Sequence, residues 1–157
     1  MMSKVNLIVI NQHNVKLLTP LLTEPQLLSA AGLTYQSGIG LLGFAMIAAS
    51  EQLFAIQVQQ QVVGIILLGR QYDEHGTILP GQWTVGYAVL PAFQRRGIAT
   101  AAVLQLINQF RQQHSAGTII AEVREDNYSS QAVVRHCGFA QVACRNGIEK
   151  WQWTWHH

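Results

Sequence analysis

The segment Gln94-Arg95-Arg96-Gly97-Ile98-Ala99 has the residue types needed to hold a phosphate. It follows an apolar run that ends at Leu90-Pro91, and it opens a stretch whose apolar residues recur at helical spacing. The first N–H groups of a helix have no partner inside it and lie at the positive end of its dipole, so a strand-to-helix junction suits phosphate oxygens. Gly97 has no Cβ and lets the backbone approach a ligand closely, and the small Ala99 continues that clearance. Arg95 and Arg96 add charge-assisted hydrogen bonds. Taken alone, the same pattern also describes an ordinary solvated loop.

Other reactive side chains are sparse. Cys137 and Cys144 lack the spacing of a CxxC pair and have no evident activating partner, so they read as buried or incidental thiols in a reducing, cytoplasmic setting. The six histidines show no metal-ligand spacing, and no metal is expected.

The elements that must position the turn follow from pattern. Val5 to Ile10 reads as a first strand. Thr23-Glu24-Pro25-Gln26 reads as a helix start, with Thr23 as N-cap and Gly32 as its stop. Gly40 to Glu51 reads as a second helix, apolar nearly all round, which fits a buried packing helix and also a pocket wall or a dimer face. Leu53 to Val58 and Val62 to Leu68 form an antiparallel hairpin across Gln59-Gln60-Gln61, and Gly69 to Gln82 reads as a loop. Trp83 to Leu90 is a strand stopped by Pro91. Gly97 to His114 carries a broad apolar helical face, Thr118 to Val123 is a buried strand, and Ser129 to His136 is a short helix ended by Gly138. Phe139 to Cys144 and Ile148 to Trp155 pair across the tight turn Asn146-Gly147. Alternation puts Trp151, Trp153 and Trp155 on one side of the last strand, where sheet packing is the favoured role over a ligand platform.

Size and composition bound the function class. With 157 residues, 49% of them apolar, one compact domain over 1–157 is expected. A formal charge of +2 is too small for a polyanion-binding surface, and the basic residues are not concentrated on one element, so no nucleic-acid partner is expected. The longest apolar stretch, Ile39 to Ala49, falls far short of the roughly 20 residues of a membrane span, so no membrane partner is expected. Charged residues make up only 11%, against about 25% in an average chain, which hints at a face for a partner such as a homodimer.

The run Gly86-Tyr87-Ala88-Val89-Leu90-Pro91 through Gln94-Arg95-Arg96-Gly97-Ile98-Ala99-Thr100 resembles the acetyl-CoA-binding motif of the GNAT superfamily of N-acetyltransferases, Gln/Arg-x-x-Gly-x-Gly/Ala. Asn127-Tyr128-Ser129-Ser130, followed by Cys137-Gly138-Phe139, is similar to that family's Asn-x-x-Ser and terminal Gly-Phe. The resemblance covers about Leu53 to Phe139 and looks most like the branch that acetylates the N-termini of ribosomal proteins. It implies a mixed α+β fold: a twisted, mostly antiparallel sheet of six to seven strands, two splayed central parallel strands, and about four flanking helices. It implies acetyl-CoA as co-substrate and a peptide or small-molecule amine as acceptor. The backbone of Val89 would pair with pantetheine, Gln94, Arg95, Arg96, Gly97, Ile98, Ala99 and Thr100 would hold the pyrophosphate, and Asn127 would bond the pantetheine arm.

Acetyl transfer needs a neutral amine, a polarised thioester and a proton for the departing thiolate. Many family members place a tyrosine seven residues after the motif asparagine for that proton, but Val134 stands there, leaving Tyr128 or Tyr87 to reach in from elsewhere. In the ribosomal-protein branch the motif serine takes the role, which makes Ser130 the candidate acid, with helix capping as its competing role. Glu122 is the candidate base, with a surface carboxylate as its alternative, and Glu51, Glu74 and His75 are weaker options. The missing tyrosine also allows a catalytically silent acyl-CoA-binding or sensor domain.

Overall fold

The computed structural model describes residues 4–24, 26 and 40–156. Its elements run β1 (Val5–Val9), a 3-10 segment (Val15–Thr23), α1 (Gly40–Ser50), β2 (Gln52–Val58), β3 (Gln61–Tyr72), β4 (Ile78–Val89), a 3-10 turn (Pro91–Phe93), α2 (Ile98–Gln113), β5 (Ala116–Arg124), α3 (Tyr128–His136), β6 (Ala140–Arg145) and β7 (Ile148–His156). The seven strands form one mixed sheet in the order β1-β2-β3-β4-β5-β7-β6, the α+β architecture expected. β4 and β5 are its parallel pair, with Gln82, Trp83 and Thr84 opposite Thr118, Ile119 and Ile120; both strands continue past the last of these pairs, to Val89 and Arg124.

By contacts the chain divides into two compact units. The first comprises Met1–Leu68 and Gly86–Ala102. Its β2–β3 hairpin turns through Gln59 and Gln60 at φ 51° and 66°, the left-handed pair that matches strand twist in a two-residue turn. The core of this unit gathers Leu18 and Leu21 from the 3-10 segment, Phe44 from α1, and Leu53, Ala55 and Ile65 from the hairpin. Phe44 is fully buried, which contributes about 1.5–3 kcal/mol over leaving it exposed. α1 is thus the packing helix of this core on one face, while Leu42 and Met46, one turn apart, stay exposed. Thr23 is the last residue of the 3-10 segment and its hydroxyl turns back to donate to the Pro20 carbonyl. Of the helix expected after it, up to Gly32, only Glu24, which caps the 3-10 segment, and Gln26, which is helical, are described; the rest lies outside the described residues.

The second unit comprises Gly69–Val85 and Val103–His157. Here the expected loop from Gly69 to Gln82 is corrected: β3 continues to Tyr72, β4 begins at Ile78, and only the link between them turns. Asp73 is the cause. Its Oδ1 accepts from the backbone N–H of His75 (2.8 Å) and of Thr77 (2.9 Å), its own N–H donates to the Thr77 carbonyl, and Gly76 takes φ 79°. With the turn closed locally, the polar flanks are free to extend the strands.

Phe110, on α2, anchors the core of this unit. Its ring centroid lies 4.8 Å from that of Trp83, 4.5 Å from that of His114 and 6.0 Å from that of Trp153. Trp155 donates to the His114 carbonyl and carries the Arg111 guanidinium over its ring, and Trp151 carries that of Arg135. The three alternating tryptophans of β7 therefore pack the sheet against its helices, the favoured role in the sequence. The Asn146-Gly147 turn closes β6 onto β7 with φ 54° and 77°.

Gly117 faces this aromatic cluster. A Cβ there would collide with the Phe110 ring and stand 2.9 Å from Trp83 Cζ3, and Phe110 is buried with rings around it. Gly117→Ala should cost about 1–3 kcal/mol of stability by overpacking, read as a lowered urea midpoint at unchanged slope.

Candidate functional site

The end of β4 is fixed by its neighbour. The Leu90 N–H donates to the Val63 carbonyl at 2.7 Å. Gly64 on β3 lies so close that an added Cβ would collide with the Ala88 carbonyl and approach Val89 Cα to 3.2 Å. Pro91 then ends the strand and opens a tight turn, with Phe93 N–H donating to the Leu90 carbonyl (2.8 Å) and Gln94 N–H to that of Pro91 (3.3 Å).

Beyond that turn the backbone becomes left-handed twice, at Arg95 (φ 64°) and at Gly97 (φ 75°). Gln94, just before, is extended at φ −72° and ψ 158°, so the chain reverses hand at Arg95 and exposes the N–H groups that follow to a ligand. Glycine adopts the left-handed φ freely, whereas a residue with a Cβ does so at a cost of about 1–2 kcal/mol. The helical ladder of α2 starts at once, with Ala101 N–H donating to the Gly97 carbonyl at 3.0 Å. Gly97 therefore stands at the cap position, and the N–H groups of Ile98 and Ala99 belong to the first turn, which has no acceptors inside the helix. Arg95 and Arg96 are exposed beside them, Arg96 with its guanidinium 5.3 Å from the Phe93 ring centre. A left-handed turn, a helix dipole and two arginines on one short segment are a donor set that fits a diphosphate.

Gln94 departs from the sequence reading. Its Nε2 donates to the carbonyl of Val89 at 2.9 Å, so the side chain is engaged with the chain itself, and one lone pair of that carbonyl is used. Nothing in the motif signalled this contact. It depends on the turn bringing residues five apart face to face.

In the second unit, Asn127 is the N-cap of α3, and its Oδ1 accepts from the Ser130 N–H at 3.0 Å. The cap weighed for Ser130 thus belongs to Asn127, because an asparagine side chain at the cap reaches the N–H three residues on. The Asn-x-x-Ser spacing itself was the signal. Ser130 sits partly buried in the first turn of α3, and Val134 is fully buried, so an apolar side chain fills the position seven residues after Asn127. Tyr128 is exposed, and Tyr87 is half-buried on β4.

The candidate bases are dispersed. Glu122 is exposed on β5 and lies opposite Lys150 in the β5–β7 ladder. Glu74 and His75 pair at 3.4 Å on the exposed β3–β4 turn. Glu51, at the α1–β2 junction, is half-buried, and burial raises its carboxyl above the usual range. The thiol of buried Cys137 is pushed up by burial to about 11, which leaves it protonated and unreactive at neutral pH. Desolvation and the nearby Glu125 and Glu149 carboxylates raise Cys144 as well. Among the described residues no group of three His, Cys, Asp or Glu is placed to hold a metal, and no helix is long and apolar enough to cross a membrane.

The acetyltransferase (GNAT) domain family matches residues 33–140. No curated protein matches the sequence. Several solved structures share the fold. The GNAT domain of S. lividans PAT superposes with a TM-score of 0.75 at 17% identity, over 97% of this chain and 90% of that one. A ribosomal-protein-S5-alanine acetyltransferase from Vibrio fischeri gives 0.73 at 15%, over 98% and 94%. A spermidine N-acetyltransferase from Vibrio cholerae, in complex with CoA and spermine, gives 0.69 at 13%, over 96% and 95%.

The Asn127 cap has a measurable weight. Asn127→Ala should cost about 1 kcal/mol of stability, while Asn127→Asp keeps the acceptor oxygen and should melt within a degree or two of the parent. Calorimetry on the two variants reads the difference.

Proposed function

The chain belongs to the acetyltransferase (GNAT) domain family, and from that premise we propose how its own residues serve the reaction. It is an acetyl-CoA-dependent N-acetyltransferase that moves an acetyl group to a primary amine. The catalytically silent alternative draws no support from the family match. The observation that carries the site assignment is the left-handed turn at Arg95 and Gly97 opening directly into α2.

In this reading residues 1–157 act as one acetyltransferase domain. The backbone N–H groups of Arg95, Arg96, Gly97, Ile98, Ala99 and Thr100 hold the pyrophosphate, and the two guanidinium groups balance its charge. Val89 pairs through its backbone with the pantetheine arm. Asn127 adds a bond through its amide nitrogen, since its oxygen serves the cap of α3. When bound, the coenzyme supplies a thioester whose carbonyl carbon takes the amine and whose sulfur leaves. Ser130 gives the hydroxyl proton to the departing sulfur and is reprotonated from solvent in the same step. Glu122, exposed to solvent, takes the proton of the attacking amine through a water molecule and releases it to solvent, so one proton leaves the amine and one reaches the thiol.

For the acceptor we propose the N-terminal amine of a protein. Support comes from Gly86-Tyr87-x-Val89 ahead of Pro91 and from Asn127-x-x-Ser130, the segments that resemble the ribosomal-protein branch. Two free cysteines are in keeping with a reducing cytoplasm. Exposed Leu42 and Met46 on α1 support a homodimer, and light scattering of the purified chain should return twice its mass.

Gly97→Glu should abolish binding of acetyl-CoA, because it forces a Cβ into a left-handed position and sets a carboxylate against the diphosphate. Calorimetric titration checks this, and an unchanged isotherm would remove the site. Ser130→Ala should lower kcat by about 10²-fold or more with acetyl-CoA affinity retained, measured on a panel of N-terminal peptides and polyamines; a wild-type rate would take Ser130 out of the mechanism.

A further inference from the structure

The turn that would hold the coenzyme contains a conformational problem. Arg95 is a non-glycine residue at φ 64°, and isolated residues of this kind relax to the right-handed or extended regions. The backbone bonds of the preceding 3-10 turn stop at the Gln94 N–H, and the helical ladder of α2 resumes only at the Gly97 carbonyl. Arg95 and Arg96 lie between these two anchors. The Gln94 side chain sits at the near edge of that interval, and its carboxamide reaches back 2.9 Å to the Val89 carbonyl. Val89 is itself held firmly, being buried, next to Leu90 with its bond to Val63, and against Gly64 at a distance that admits no side chain.

We propose that Gln94 is a positioning residue for coenzyme binding, whose carboxamide latches the Arg95–Gly97 turn onto the end of β4 and so fixes the direction of the turn's N–H groups. The inference rests on the phosphate reading given above and goes beyond it: the sequence assigns Gln94 to the coenzyme, whereas the geometry gives its side chain a partner within the protein. A donor is required, because the partner is a carbonyl oxygen. Glutamine satisfies this with Nε2, and arginine, the other residue that the motif admits at this position, satisfies it with its guanidinium N–H groups. A residue of equal length without a donor cannot close the latch.

The effect belongs to binding. A latched turn presents its donors already arranged, so losing the latch adds an ordering cost to coenzyme binding while leaving the acetyl-transfer step as it was. Gln94→Met should therefore weaken acetyl-CoA binding about five-fold, the size of one neutral hydrogen bond, and raise the KM for acetyl-CoA in proportion. The kcat at saturating acetyl-CoA should stay within two-fold of the parent. Gln94→Arg should restore affinity to near the parent value.

The experiment is calorimetric titration with acetyl-CoA and steady-state kinetics on the full chain, for the parent, Gln94→Met, Gln94→Arg and Gly97→Glu, each confirmed folded by its thermal transition. Parent-like affinity in Gln94→Met overturns the latch. So does an equal loss in Gln94→Met and Gln94→Arg, or a fall in kcat without a change in KM. Gly97→Glu separates the two levels: if it still binds acetyl-CoA like the parent, the phosphate site itself is wrong and the latch falls with it. If it fails to bind while Gln94→Met matches the parent, the latch alone is rejected.

Discussion

The backbone at Arg95 and Gly97 is the constraint on which the proposed site depends. A diphosphate can be held by mobile lysines and arginines, but such a grip gives little orientation, because each long side chain must be ordered as the ligand binds. Backbone N–H groups aimed by a left-handed turn are ordered before the ligand arrives. The cost is local strain at Arg95, about 1–2 kcal/mol, and it is carried by the folded protein. One charge-assisted bond to phosphate contributes about 1.5–3 kcal/mol, so two or three such bonds outweigh the strain. The glycine belongs where α2 begins, at a φ of 75°, since a second strained residue there would subtract about 1–2 kcal/mol more from that margin.

Such a turn needs a rigid base, and β4 provides one by close backbone contact. Gly64 lets β3 approach the Ala88–Val89 peptide more closely than any side chain would permit, and interior packing transmits such an approach with little give. The second unit is held differently, by aromatic side chains gathered on Phe110 and by tryptophans capped with arginine. Those contacts bury large surfaces and are worth about 0.5–1.5 kcal/mol per aromatic pair beyond the area. They stabilise β5 and β7, and Asn127 and Ser130 follow at the end of β5 where α3 begins. Position in the first unit is thus set by the absence of a side chain, and in the second by the bulk of several.

Sequence exposes some of these features and hides others for physical reasons. Asn146-Gly147, the helical period from Ile98 to Phe110 and the stop at Pro91 are written in consecutive residues, and all three stand where expected. The Gly-x-Ala turn was legible because few residue types allow its backbone, although the left-handed state of Arg95 was not, since arginine has no preference for it. The stretch from Gly69 to Gln82 misleads because its glycines, Pro80 and polar residues satisfy the criteria for a loop, while the outcome turns on one Asp73 carboxylate accepting two N–H groups. The Asn127 cap could be read from spacing once Asn is counted as the capping residue ahead of Ser130. The Gln94 to Val89 bond and the Gly64 approach could not, because each joins residues whose proximity exists only after the chain has turned or paired.

The choice of neutral amides at Gln94 and Asn127 has a further consequence. A carboxamide both donates and accepts, so Asn127 can cap α3 with its oxygen and still offer its nitrogen, a combination that aspartate lacks. Between Gln94 and Thr100 the sequence holds no His, Cys, Asp, Glu, Lys or Tyr, and arginine is the one charged residue type there. The residue types of the proposed cradle give it fixed charge, so the pH dependence of the rate is assigned to the acceptor amine, which reacts only when neutral, and to the groups that handle its proton. In a chain with only 11% charged residues, that division places fixed charge and neutral hydrogen bonds on the coenzyme side and leaves titration to the side of the amine.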